Sequence, residues 1–275
     1  MIWNILALST IASLGTGLGG MIAVIRQPGR RMFGLLMGIT AGVMITLSFV
    51  DLVNHALELA GVWTTTIGFA LGAFFMLMID MAIPHIRFGE KEFEGLKKKN
   101  LEKDGHGHFS SRPHRWHWKS KTHITDMKLL KTGLLVGLGI AIHNTPEGIA
   151  VGAGYAHTPA FGIFIATAIT LHNIPEGIAT ALPLYKSGMS KRRAAGFAFL
   201  SGLTEPIGAL IAGLLLTTFD ALIPAALAFA GGVMVFITLD ELIPVAREHG
   251  HQHYTAIGII RGAVFVFILS GVLGV

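Results

Sequence analysis

The sequence predicts an all-α integral membrane protein of eight transmembrane helices with both termini outside, and three observations predict it. First, the 275 residues are 52% hydrophobic and only 13% charged, with a mean hydropathy of +0.63. Soluble domains carry about 25% charged residues, so this chain lacks the polar groups to cover a water-facing surface. That excludes disorder and argues against an ordinary cytosolic enzyme. Second, apolar runs of about 20 residues, enough to cross a hydrocarbon core of about 30 Å, recur along the chain. Third, the basic residues are confined to alternate connections between those runs.

The first run is Ile2–Ile25. No basic residue precedes it and no small-residue cleavage site is present, so it reads as a retained span rather than a removed signal peptide. Met32–His55 and Val62–Ile86 follow, and beyond a long polar stretch come Leu129–Tyr155, Phe161–Tyr185, Ala194–Thr218, Ala221–Val245 and Thr255–Val275. Some runs contain Pro or Gly, which membrane helices tolerate where neighbours satisfy the freed backbone groups.

The connections after the first, third, fifth and seventh runs hold Arg26 to Arg31, Arg87 to Lys128, Lys186 to Arg193, and Arg247. Lys131 and Arg261 fall within a turn or two of the helix start that follows, which accounts for all 21 Lys and Arg. Cytoplasmic loops collect Lys and Arg, so the chain is expected in the cell membrane as a multi-pass protein. The formal charge of +5 is then a topology signal. The lipid bilayer is the expected macromolecular environment, and no nucleic-acid partner is needed. Residues 87–128 form the one long polar stretch, a cytoplasmic His-rich loop between the third and fourth helices. It carries Lys97, Lys98 and Lys99 with His106, His108, His114, His117 and His123. Such a tract either binds metal weakly or is a solvated basic loop against anionic headgroups. The chain has no cysteine, so disulfides and thiolate metal sites are ruled out.

Ionisable groups inside the runs carry the functional signal. The fourth reads His143-Asn144-Thr145-Pro146-Glu147-Gly148, and the fifth reads His172-Asn173-Ile174-Pro175-Glu176-Gly177. The sixth carries Glu205-Pro206-Ile207-Gly208. At about 1.5 Å per residue, His143, His172 and Glu205 fall roughly 16–21 Å along their helices, near the bilayer midplane. Each ionised group there costs at least about 3 kcal/mol, so three glutamates and two histidines require shared protons or a cation. His and Glu stand at i and i+4 on one helix face, with Asn on its flank. Pro146 and Pro175 cannot donate to the carbonyls of Ile142 and Leu171, while Gly148 and Gly177 let another helix approach. Buried polar glue between helices explains one such residue, not a doubled motif. Two imidazoles and two carboxylates suit Zn²⁺, Fe²⁺ or Mn²⁺. The asparagine amides with shared carboxylates suit a harder second site, Glu147 and Glu176 bridging the two.

A pathway is suggested by the second run, where Met44, Asp51 and Glu58 are spaced by seven and lie near one face, beside Ser48, Asn54 and His55. Acids descending from the outer surface would draw cations inward, although helix-end solvation also accounts for Glu58. Asp240 and Glu241 of the seventh run are expected near the cytoplasmic side, lining an exit or solvating a helix end. Asp80 reads as interfacial and His157 as incidental in an external loop. His249, His251 and His253 form an alternating run at the inner surface.

At the paired motifs the sequence resembles the ZIP family of metal-ion transporters, and within it the bacterial zinc-uptake branch. The resemblance covers essentially the whole chain, 1–275, as a single transmembrane transporter domain with a ZIP-like bundle. It implies a first metal site of His143, Glu147, His172 and Glu176, and a second of Asn144, Asn173 and Glu205 sharing Glu147 and Glu176. It also implies an outer path along Met44, Asp51 and Glu58, and an inverted repeat of spans one to three and six to eight around the four–five pair. The expected activity is uptake of Zn²⁺, with iron, manganese and cadmium as further substrates, and no resident cofactor. Two other readings stay open: an intramembrane zinc metallohydrolase, against which no His-Glu-x-x-His is present, and a metal exporter. Gly34, Gly38 and Gly42 mark either a homodimer face or internal packing.

Overall fold

A computed structural model describes residues 1–82 and 126–275, and every element among them is helical. The His-rich stretch therefore lies outside the described residues as far as residue 125. Helix α1 spans Ile2–Arg26 and ends at Gln27, which adopts a left-handed conformation with φ 42 just before Pro28. Helix α2 (Arg30–Thr46) runs into a π-helical turn, Leu47–Val53, and on into α3 (Asn54–Ala82). Gly61, at φ 72, divides α3 into two arms. Glycine adopts that conformation without steric penalty. The second apolar run thus continues past His55, where hydropathy ended it, because the backbone break lies at Gly61.

Helices α4 (Met127–His157) and α5 (Pro159–Lys186) are separated by Thr158 alone. Its hydroxyl accepts from the Phe161 N–H at 3.2 Å, and Pro159 occupies the first turn, where a missing N–H costs nothing. His157, expected in a loop, is instead the last residue of α4. Both helices continue through their prolines. The sixth run is two helices, α6 (Lys191–Gly202) and α7 (Thr204–Leu216). Pro206 has no N–H to offer the Gly202 carbonyl, so the helix ends and restarts there. After a 3₁₀ turn at Asp220–Leu222 come α8 (Ile223–Ile237), a second π turn (Thr238–Leu242), α9 (Ile243–His249) and α10 (Gln252–Leu273).

By length and composition, six helical stretches among the described residues can cross a membrane. They are Ile2–Arg26, Arg30–Ala82, Leu129–His157, Lys191–Leu216, Asp220–Glu248 and Gln252–Leu273. Ile211, Leu214, Phe267 and Ile268 stand exposed on the outside. A water-soluble surface rarely carries so extended an apolar coat. Lipid requires it.

Inside, α4 packs on α5, and each has its own outer partner: α7 lies on α4 and α1 on α5. Beside this group α2 pairs with α10 and α3 with α8. The seams are close because glycine lines them. A Cβ on Gly148 would collide with the Glu205 carbonyl, and one on Gly177 with the Thr16 carbonyl. Gly34, Gly38 and Gly42 meet the backbone of α10 and the turn before it, at His251, Thr255 and Ile259. Of the two readings of these glycines, the structure shows the internal packing, a seam taken by α10.

Candidate metal centre

Both hexapeptides point into the seam between α4 and α5, where His143, Asn144, Glu147, His172, Asn173, Glu176 and Glu205 are all buried, none more than 2% exposed. One ligand atom each from Glu147, His172 and Glu176 lies within 4.8 Å of the others. The His172 Nε2 is 3.1 Å from a Glu147 carboxylate oxygen, which couples α5 to α4 at the centre. Thr40 of α2 donates to the His172 carbonyl at 3.3 Å.

The asparagines are oriented by their amide nitrogens. The Asn144 Nδ2 donates to the Ser201 carbonyl at 3.3 Å. The Asn173 Nδ2 donates to the Ala12 carbonyl at 3.1 Å and to Glu205 Oε2 at 2.8 Å. Each amide therefore turns its oxygen inward. The result is five buried oxygens without a hydrogen-bond donor: Asn144 Oδ1, Asn173 Oδ1, Glu147 Oε2, Glu176 Oε2 and Glu205 Oε1. Burying a polar atom without a partner costs about 1–3 kcal/mol, more for a charged group. Five acceptors that no donor reaches are groups that a cation can satisfy. Imidazole and carboxylate at Glu147, His172 and Glu176 suit a borderline ion, and the amide oxygens beside them suit a harder environment.

Glu205 owes its position to the helix break. It stands in the first turn of α7, where the positive end of the helix dipole favours a carboxylate. Thr204 fastens the restart by donating to the Ala141 carbonyl of α4 at 2.6 Å. The sequence signal for this break, a Thr-Glu-Pro following Gly202, is a helix-start pattern inside an apolar run.

Not every expected ligand joins the three-residue group. The His143 ring is directed at Glu241, with Nε2 3.1 Å from Oε2. Sequence position put Glu241 near the cytoplasmic end, yet the structure sets it against a residue of the centre. The cause is local: Glu241 lies in the second π turn, where an extra residue per turn rotates the following side chains. Asp240, its neighbour, is exposed. Met44 is fully buried, its sulfur accepting from the Thr238 hydroxyl at 3.7 Å. Asp51 sits in the first π turn, 3% exposed, with Oδ2 lacking a donor. Glu58 is exposed and accepts from Asn54 Nδ2 at 3.0 Å. At the opposite end His251 and His253 have ring centroids 5.7 Å apart.

A family model described as "ZIP Zinc transporter" matches residues 67–270. Among curated proteins, the zinc transporter ZupT of Oceanobacillus iheyensis is 37% identical over 274 residues, covering 95% of this chain and 94% of its own length. That of Clostridium perfringens is 34% identical over 281 residues, covering 95% and 93%. The zinc transporter ZTP29 of Arabidopsis thaliana is 36% identical over 250 residues, covering 90% and 86%.

Proposed function

The chain belongs to the ZIP family of zinc transporters, and from that premise we propose that it carries Zn²⁺ into the cytoplasm across the cell membrane, as a multi-pass transporter and not an enzyme. The buried oxygens without donors carry this reading. A structural network would have been satisfied by its own hydrogens, whereas these atoms are arranged to be satisfied by a visiting ion. Glu147, His172 and Glu176 form the first site, which His143 joins when it leaves Glu241. Asn144, Asn173 and Glu205, with Glu147 and Glu176 bridging, form a second. Iron, manganese and cadmium ions fit the same donors and are further substrates.

The proposed topology has eight spans with both termini outside and residues 1–275 forming one transporter domain. Dividing the Arg30–Ala82 stretch at Gly61 and counting α5, 28 residues long, supports that number. Trp3 and Trp63, 82% and 80% exposed, stand at helix ends free of Lys and Arg, where an interfacial aromatic belt is expected. In this orientation the connection between α3 and α4 is cytoplasmic, and Met44, Asp51 and Glu58 lead inward from outside.

The deciding experiment is zinc uptake into cells or liposomes by a Glu147→Ala, Glu176→Ala double variant. Uptake should fall to background while the protein remains in the membrane. Uptake at the normal rate would sink the assignment.

A further inference from the structure

Two histidines outside the centre face each other at the outer end of the bundle. His55 lies in the first turn of α3 and His157 closes α4. Their ring centroids are 5.6 Å apart and their planes are inclined by 73°. Both are half-buried, so water reaches them. Neither is free to wander. The His55 ring stacks on Phe161 with centroids 4.0 Å apart and planes 22° apart, and His157 meets the same ring edge-on at 5.9 Å. Phe161 is itself only 1% exposed, so both imidazoles rest on a fixed platform.

The tautomer of His55 is set by its neighbour. The Nδ1 is 2.9 Å from the Asp51 carbonyl oxygen, a group that only accepts, so Nδ1 carries the proton. The lone pair is left on Nε2. A backbone carbonyl holding the far nitrogen is the arrangement that orients and strengthens metal-binding histidines. The spacing fits as well. With a metal–nitrogen distance of about 2.0–2.1 Å, each ring centroid lies about 3.2 Å from the ion. Two such rings at a tetrahedral angle are then about 5.2 Å apart. Glu58, one turn beyond His55, is exposed and is held by Asn54 at 3.0 Å, which puts a carboxylate on the same end of the helix as the imidazole pair. One turn below His55, Asp51 offers its buried, undonated oxygen.

We propose that His55 and His157, assisted by Glu58, form an outer capture site for a borderline divalent ion, which passes from there to Asp51. The site deepens the transport reading and rests on it for the direction of flow. Its chemistry adds selection at the mouth. Acidic side chains alone attract Mg²⁺ and Ca²⁺ as readily, whereas paired imidazoles favour zinc-like ions. The competing explanation is an aromatic clasp that merely packs α3 against the α4–α5 corner.

The chain has no cysteine, which permits a direct test. His157→Cys introduces a single thiol, itself a zinc ligand, at the outer surface. Micromolar zinc should protect it from a membrane-impermeant maleimide added outside, and His55→Phe in the same chain should abolish that protection. In uptake assays, His157→Phe and His55→Phe keep a ring on Phe161 but remove the donor. Each should raise the KM for zinc about tenfold with kcat within about twofold, and millimolar Mg²⁺ should now inhibit uptake. His157→Cys should restore KM. Labelling that ignores zinc, together with an unchanged KM in both Phe variants, overturns the capture site. Wild-type chain that takes up no zinc would overturn the transport reading instead, while protection of the thiol would still decide on the site.

Discussion

The hexapeptides of α4 and α5 differ at one position, Thr145 against Ile174, and yet their side chains keep different company. His172 faces Glu147 across the helix pair and lies in the three-residue group. His143 faces Glu241 of the second π turn. Asn173 bonds both a carbonyl and Glu205, whereas Asn144 bonds a carbonyl alone. Equal sequence thus gives unequal roles because the outer partners differ: α1 backs one copy and α7 the other. The three-residue group takes both the histidine and the glutamate of the α5 copy but only the glutamate of the α4 copy, whose histidine faces a carboxylate instead.

That contrast can be broken, most severely at the glutamates. Glu147→Gln should lower zinc uptake by at least about 100-fold, because this carboxylate both joins the cluster and meets His172. A residual rate above one-tenth of wild type would mean that the cluster is not the path. At the histidines, His172→Ala is expected to reduce zinc affinity about 10–100-fold and His143→Ala distinctly less, measured by competition with a chromogenic chelator. Equal losses would erase the distinction between the two copies. Acidification should act on the whole centre. Its imidazoles and carboxylates bind metal only when deprotonated, so protons compete with zinc, and the KM for uptake should rise as external pH falls from 7 to about 5. A flat profile would show that binding does not limit uptake.

The finest test is Glu241→Gln. It removes the charge that holds His143 while preserving shape, so His143 should turn to the metal. Zinc should then be retained more tightly and released more slowly, lowering KM and kcat together by about twofold to fivefold. If KM rises instead, Glu241 is itself a ligand.

The alternation of apolar runs and basic connections was readable because hydropathy and charge are properties of composition. Each run overlaps a described helix. The paired motif was readable for a related reason, since buried polar glue between helices explains one such residue but not a doubled His-Asn-x-Pro-Glu-Gly. What escaped depends on tertiary contact or on single backbone events. No residue pattern announces a π turn, so counting residues sets Glu241 near the cytoplasmic side and gives no hint of its contact with His143. The break at Leu203 hid inside an apolar run, although Thr204 and Pro206 mark it in retrospect. Nothing in the order of residues relates His157 to His55, because the two meet only once α3 reaches the end of α4.

The glycine seams described above have a further consequence, for electrical insulation. Where Gly148 lies on the Glu205 carbonyl and Gly177 on the Thr16 carbonyl, backbone lies against backbone with no room even for a methyl group. A transporter that holds dehydrated carboxylates in the membrane is at risk of conducting protons along any wetted crevice beside them. Helices pressed together without side chains between them seal that crevice. Alanine at Gly148 or Gly177 should therefore do more than loosen packing: it should let protons leak around the metal path, read as dissipation of a pH gradient across zinc-free liposomes.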